Sequence, residues 1–201
     1  MALQERFDER DWSKIEGWMS KEKGIRLQGM IKDIDAQTVV EIGVYGGASL
    51  IPMAQACRDK GSGRVHGIDP WCKDASTEGF DVDNPNHKWW GNLDHNWVYG
   101  LYERDLQRYD VTSWVKTHIA YSDDVVHDFQ DESIDILHID GNHSELCSTR
   151  DVQNWFPKVR QGGYIVFDDV NWASTKRAQE MLNDLCQASL EQYETWGIWK
   201  K

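Results

Sequence analysis

Five polar side chains in this sequence stand directly after short apolar runs: Glu41, Asp69, Ser122, Asp140 and Asp168. Runs of that length between turn signals read as buried strands. In an open parallel sheet the carboxyl ends of the strands line one crevice, and ligands bind there. Any one of the five alone could be a polar residue in a solvated loop. Delivered to one edge by separate strands, they describe a ligand site. The sharpest segment is Glu41-Ile42-Gly43-Val44-Tyr45-Gly46-Gly47-Ala48-Ser49, an acid, then glycines, then a helix start. Glycine lets the backbone approach a ligand closely, and a helix N-terminus offers free N–H groups to a carboxylate. A dinucleotide fingerprint, G-x-G-x-x-G, needs glycine where Tyr45 stands, so the pattern points away from a nicotinamide dinucleotide.

These residues need elements to hold them. Residues 1–36 form an N-terminal segment expected to be helical from Asp11 to Ile34, with Trp12, Ile15, Trp18 and Met19 at helical spacing. Thr38 to Gly43 reads as a strand entering the glycine turn, and Ala48 to Arg58 as a helix ended by Gly61-Ser62-Gly63. Further strands are predicted at Arg64–Ile68, Val115–Ala120, Ile134–Ile139 and Tyr164–Phe167, and helices at Ser144–Phe156 and Thr175–Leu190. Gln161-Gly162-Gly163 reads as a turn, and Tyr193–Trp199 as a closing strand or short hairpin broken at Gly197. Strands alternating with helices predict an α/β fold with a mostly parallel sheet flanked by helices. Residues 71–113 break the rhythm. They are polar and aromatic-rich, with Trp71, Phe80, Trp89, Trp90, Trp97, Tyr99, Tyr102 and Tyr109. A stretch this long is expected to be a lid or substrate-binding insertion with one or two helices, packed over the end of the sheet.

Length and composition bound the rest. The 201 residues fit a single domain, 1–201, with neither internal repeat nor linker. A net charge of −12 disfavours non-specific nucleic-acid or anionic-membrane binding, because repulsion opposes approach. No secretory signal or membrane-spanning run is visible. Cys57, Cys72, Cys147 and Cys186 form no C-x-x-C pair and read as free thiols in a reducing cytoplasm. The short C-terminus at Trp199-Lys200-Lys201 leaves room for the last strands to be abbreviated or completed by a partner chain, as in a homodimer.

The segment Val39 to Ser49 resembles motif I of class I S-adenosylmethionine (SAM)-dependent methyltransferases, in its E-x-G-x-x-x-G-x-S form. The stretch Ile136-Leu137-His138-Ile139-Asp140-Gly141-Asn142-His143-Ser144 and the run Gly162-Gly163-Tyr164-Ile165-Val166-Phe167-Asp168-Asp169 resemble a narrower group. It holds macrocin O-methyltransferase-like and cephalosporin hydroxylase-like proteins and, more distantly, catechol O-methyltransferase. The resemblance covers roughly residues 37–175 apart from the insertion. It implies a Rossmann-like methyltransferase sandwich in which Glu41, Gly43, Tyr45, Gly46, Gly47 and Ser49 form the turn around the methionine half of SAM. By the same resemblance Asp69 binds the ribose hydroxyls, as a carboxylate accepting two bonds can. Ser122 and Asp123 meet the adenine edge, with Trp71 against the ring, and Asp140 is shared between cofactor and metal.

The resemblance also implies Asp140, Asp168 and Asp169 as metal ligands. Carboxylates are hard donors that suit Mg²⁺, Mn²⁺ or Ca²⁺. Without a cation three of them would repel one another, although Asp168 or Asp169 could instead cap the following helix. His143 stands where catechol O-methyltransferase carries a lysine base, a departure from the pattern. His138-Ile139-Asp140 with a later histidine imitates the ligands of iron oxygenases. Those are all-β proteins, so His138 is expected to be a packed strand residue. Trp172, beside the proposed metal, and Trp89, Trp90 or Trp97 are expected to touch the acceptor. The expected activity is Mg-dependent transfer of a methyl group to a hydroxyl of a small molecule, such as a sugar or phenolic diol, with His143 as base. A metal-independent N-methyltransferase, a hydroxylase-like member of the same scaffold and a non-catalytic cofactor-binding module are the alternatives.

Overall fold

In the computed structural model, residue 8 and residues 10–186 and 188–201 are described. The start of the expected N-terminal segment (residues 1–7 and 9) and residue 187 lie outside the described residues. Strand β1, Thr38–Ile42, occupies the middle of the sheet, with Val39, Val40 and Ile42 buried. β2 (Arg64–Ile68) pairs with it on one side and β4 (Ile134–Ile139) on the other, both parallel. β3 (Val115–His118) extends the sheet beyond β2, and β5 (Val159–Asp168) pairs parallel with β4. β6 (Glu191–Gln192) and β7 (Trp196–Lys200) close the other edge antiparallel, giving the order β3-β2-β1-β4-β5-β7-β6. The chain winds outward from β1 to β3 and then returns to place β4 on the far side of β1. That reversal opens a crevice at the carboxyl ends of β1 and β4.

Helices cover both faces. α1 (Lys21–Asp33), α2 (Leu50–Lys60) and α5 (His95–Arg108) bury Leu27, Ile31, Leu50, Ile51, Val98 and Tyr102 on one side. α7 (Glu145–Trp155) and α8 (Lys176–Cys186) bury Val152, Trp155 and Leu182 on the other. Each of the buried aliphatic side chains among them contributes about 1.5–3 kcal/mol. Among the described residues no helix is long and apolar enough to cross a membrane.

Several expectations are corrected in detail. The helix predicted from Asp11 to Ile34 is interrupted: a 3-10 turn spans Trp12–Lys14, and α1 starts only at Lys21. Gly17 has φ 136°, which no helix holds, and Ser20 caps α1 by accepting from the Lys23 N–H at 3.1 Å. Trp18 therefore leaves the core and is 66% exposed. The predicted turn at 161–163 lies inside β5, where the pairing with β4 shifts register between Ile134 and Ile136. Gly197 does not break the closing strand; it sits within β7 opposite Phe167. The chain forms both closing strands from its own residues, β6 being two residues long. The helix expected to reach Leu190 ends at Cys186.

Residues 71–113 hold three helices, α3 (Lys73–Thr77), α4 (Pro85–Gly91) and α5. α5 is not a cover. Its Val98, Tyr102 and Leu106 belong to the main core, because the sheet face beside α2 needs that layer. The crevice is bordered by the α3–α4 half and by His95 at the start of α5. α6 (Ser122–Val125) is a single turn after β3.

Candidate functional site

The crevice is built by two turns pressed together. Asp140, after β4, donates its N–H to the Ile42 carbonyl at 2.9 Å, which brings the β4 turn alongside the β1 turn. A Cβ placed on Gly43 would meet the Asp140 carbonyl oxygen at 2.0 Å, and Gly43 has φ 82°. Both facts demand glycine. Tyr45 also takes a left-handed conformation, φ 51°. Asp69 holds it there. Its Oδ2 accepts from the Val44 and Tyr45 N–H groups, both at 3.0 Å, and its Oδ1 from the Trp71 N–H at 2.7 Å. Burial raises the Asp69 pKa against these three bonds. Trp71 completes the brace by donating its ring N–H to the Tyr45 carbonyl at 2.9 Å.

Two cavities meet over this turn. One runs toward β2 and β3 and is lined by Asp69, Trp71, Tyr121, Ser122 and Asp151. The other, about 430 Å³, is lined by Trp18, Trp89, Asp168, Asp169 and Trp172. Gly43, Tyr45, Trp90, Asp140, Gly141 and His143 line both, so the two form one elongated cleft. Its second half has an aromatic wall: Trp18 stacks on Tyr45 with ring centroids 5.1 Å apart, and Trp89 and Trp90 meet edge-on at 4.6 Å. Trp172 lies against the His143 ring at 4.9 Å.

Acids and cations converge on the floor. His143 Nε2 lies 2.6 Å from Asp169 Oδ2 and 3.7 Å from Asp140 Oδ1. Burial alone would depress the His143 pKa, but these two carboxylates outweigh it and raise it to about 10. Burial, then the charge of Asp168, pushes Asp140 up to about 7. Asp168 behaves oppositely. Although it is buried, its ion pair with Lys23 holds its pKa below the ordinary carboxylate value. Lys23, on α1, is 3% exposed and was not singled out in the sequence. Beneath lie His138 and Glu41, both fully buried, with His138 Nδ1 2.7 Å from Glu41 Oε1. The Ser49 hydroxyl also donates to Glu41 Oε1. His138 Nε2 and Glu41 Oε2 have no hydrogen-bond partner among the described residues.

The structure thus brings Gly43, Tyr45, Asp69, Trp71, Ser122, Asp140, His143, Asp168, Asp169, Trp89, Trp90 and Trp172 to one cleft. It places others differently. Glu41 supports the turn from behind and lines neither cavity. Gly46 and Gly47 face the Glu16 backbone and the Tyr102 ring. Ser49 borders the larger cavity while its hydroxyl serves Glu41. Asp123 is engaged by Asn154 and Arg150, both at 2.9 Å, and is absent from the lining, as is the exposed Trp97. Ser122 donates to Asp151 Oδ1 at 2.6 Å, and burial lifts Asp151 to about 7. His138 is the packed strand residue expected of it. Asp151, Lys23, Glu16 and Trp18 are site residues that sequence reasoning missed.

Residues 40–170, well over half of the chain, match the model of a family described as Methyltransferase domain. An uncharacterized protein, R132, of Acanthamoeba polyphaga mimivirus is 30% identical over 137 residues, 67% of this chain and 52% of that protein. The uncharacterized protein y4gI of Sinorhizobium fredii is 29% identical over 147 residues, 70% of this chain and 14% of its own length. The chain therefore spans about half of the first relative and a small part of the second. Among solved structures, the O-methyltransferase NovP superposes with a TM-score of 0.68 at 18% identity, over 90% of this chain and 78% of that one. TomG from Streptomyces achromogenes, an O-methyltransferase in complex with SAM, gives 0.66 at 15% identity, over 91% and 81%. An O-methyltransferase from Bacillus cereus in complex with SAH gives 0.63 at 17% identity, over 92% and 84%. At these identities the likeness establishes the Rossmann-like fold.

Proposed function

This chain belongs to the methyltransferase domain family, and on that premise we propose that it transfers the activated methyl group of SAM to a hydroxyl oxygen of a small molecule. The observation that carries this reading is the single cleft in which a cavity floored by Asp69 opens, at Gly43 and Asp140, into one walled by aromatic rings and floored by acids. The first half suits an adenosine. Asp69 has already accepted three backbone bonds, which leaves about one of its four lone-pair sites for a ribose hydroxyl. Trp71 and Ser122 face the position of the base. Asp140, at the junction, is placed for the methionine end. The solved O-methyltransferases that carry SAM or SAH on this fold support the choice of cofactor.

The second half suits a flat or ring-shaped acceptor against Trp18, Trp89 and Trp90, with its hydroxyl turned toward Asp140, His143 and Asp169. A sugar or phenolic diol has that shape. Two reactants held in line can gain ~7–11 kcal/mol over free encounter, which is what such a rigid cleft supplies. His143 is the proton acceptor in this scheme. It must first give up the proton that Asp140 and Asp169 now favour.

The carboxylates fit a divalent cation by their chemistry, as hard donors converging on one cavity with charge that side chains only partly balance. Asp140 would hold it together with Asp169 and His143, or together with Asp168 and His138; the two acids Asp168 and Asp169, expected as joint ligands, fall in these separate sets. A bound Mg²⁺ or Mn²⁺ lowers the pKa of a hydroxyl that it contacts. A chelator is then expected to abolish turnover while leaving SAH affinity within about threefold. A second reading, metal-independent transfer, draws on Lys23 and His143, which already place positive charge on these acids. Full turnover in chelator would select it. The four free thiols fit a reducing, cytoplasmic setting. The direct test is transfer of a labelled methyl group from SAM to a panel of catechols and sugar diols. Labelled product from one class supports the proposal, and label transferred only to amines overturns the oxygen assignment.

A further inference from the structure

Lys23 reaches the acid cluster from an element outside the motif-bearing turns. α1 precedes β1, yet it delivers an ammonium that is 3% exposed against Asp168, 145 residues away. Among the described residues its hydrogen-bonding partner is Asp168 Oδ2. The Trp196 ring lies 5.9 Å from Nζ to centroid. A lysine buried this deeply is costly unless a charge partner holds it, and the coulombic pull here comes from Asp168, Asp140 and Glu41 together. It is a cation of the cluster, not merely of one pair.

The cluster is also unsaturated. His138 Nε2 lies 4.0 Å from Asp168 Oδ2, and both that nitrogen and Glu41 Oε2 are buried without a partner among the described residues. Buried polar atoms are nearly always satisfied, so an unpartnered His138 Nε2 facing Asp168 marks capacity for a further bound species. His138, Asp140 and Asp168 offer ligand atoms within 4.8 Å of one another, and so do Asp140, His143 and Asp169. Two overlapping ligand sets therefore exist, and the ammonium of Lys23 stands at Asp168, which with His138 belongs only to the inner set.

We propose that Lys23 is a tethered cation that occupies the inner, Asp168 side of the carboxylate cluster and thereby sets the affinity of the site for a divalent ion. With the lysine in place, Asp168 is charge-balanced and positioned, and an incoming cation gains chiefly from Asp140 and Asp169. Without it, the full charge of Asp168 becomes available. The inference uses the carboxylate cluster of the proposed function but is independent of the acceptor. Lys23 is a positioning residue in this scheme and touches no reacting atom.

The test is calorimetric titration of Mn²⁺ into the full chain and into Lys23→Met, with melting curves in the presence and absence of Mn²⁺. The variant is expected to bind Mn²⁺ at least about tenfold more tightly than the unaltered chain, since charges a few ångströms apart in a partly buried site interact strongly. It is expected to melt lower without metal and to recover more on adding Mn²⁺. Equal or weaker Mn²⁺ affinity in folded Lys23→Met overturns the inference. If the unpaired Asp168 prevents folding, Lys23→Met combined with Asp168→Asn removes that charge. The double variant is expected to fold and to bind Mn²⁺ no more tightly than the unaltered chain. Tighter binding there would show that any gain does not pass through Asp168, which also overturns it. SAH binding, measured on the same samples, reports on the proposed function separately.

Discussion

Asp69 shows how one residue serves structure and ligand together. Its carboxylate ties the β1 turn to the residue after β2 through the Val44 and Tyr45 N–H groups, and accepts a third bond from the Trp71 N–H in its own loop. Asp69→Asn presents an NH₂ group to at least one of those donors. It is expected to cost about 1–3 kcal/mol of stability and to weaken SAH binding at least tenfold, read by melting and calorimetry. Unchanged values of both would remove the residue from the site. Trp18 makes the opposite kind of prediction, because it is exposed and supports little. Trp18→Ala is expected to raise the KM for the acceptor about tenfold, a loss in line with one aromatic contact, while SAH affinity stays unchanged. An effect on SAH alone would place Trp18 at the other half of the cleft. Asp69, Asp140 and Asp168 were legible because each ends or follows its own strand, whereas Asp151 on α7 and Glu16 ahead of α1 carry no such signal. Lys23 was not, since nothing local to α1 says that its helix packs where Asp168 ends β5.

At the scale of elements, strands were legible and the punctuation between them less so. Val39, Val40 and Ile42 around Glu41 announce a buried strand, and Gly43 announces its turn. Gln161-Gly162-Gly163 looks like a turn in sequence, but neighbouring strands hold it as an irregularity within β5. Trp18 and Met19 fall on a helical period by coincidence, and Gly17 breaks it. The pairing of β2 with β3 adds a pH-dependent contribution away from the cleft. His66 Nδ1 lies 3.1 Å from His118 Nε2. Burial holds His66 down to about 4 and His118 below its ordinary value. In the unfolded chain both titrate near about 6.5, so below that pH the unfolded state takes up protons that the fold refuses. Stability from this pair is complete above about pH 6.5 and is lost as pH falls toward 4. Melting curves over that window are expected to fall more steeply for the unaltered chain than for His66→Gln. Parallel curves would contradict the assignment.

For the molecule as a whole, the order β3-β2-β1-β4-β5-β7-β6 is what turns scattered acids into a site. The alternation of strands and helices made the α/β class readable, and the motif at Val39 to Ser49 made the parallel core readable. The aromatic-rich stretch misled in part, because its composition reflects two jobs: Tyr102 fills the core through α5, while Trp89 and Trp90 line the cleft from α4. No sequence period separates those roles; the sheet face that needs covering does. The most direct measurement is calorimetric titration of SAH into the full chain, with Gly43→Ala, whose new methyl group cannot avoid the Asp140 backbone, run alongside. Saturable binding by the unaltered chain and its loss in a folded Gly43→Ala variant are expected. A folded, unaltered chain that gives no heat with SAH would contradict the cleft's assignment to an adenosyl ligand.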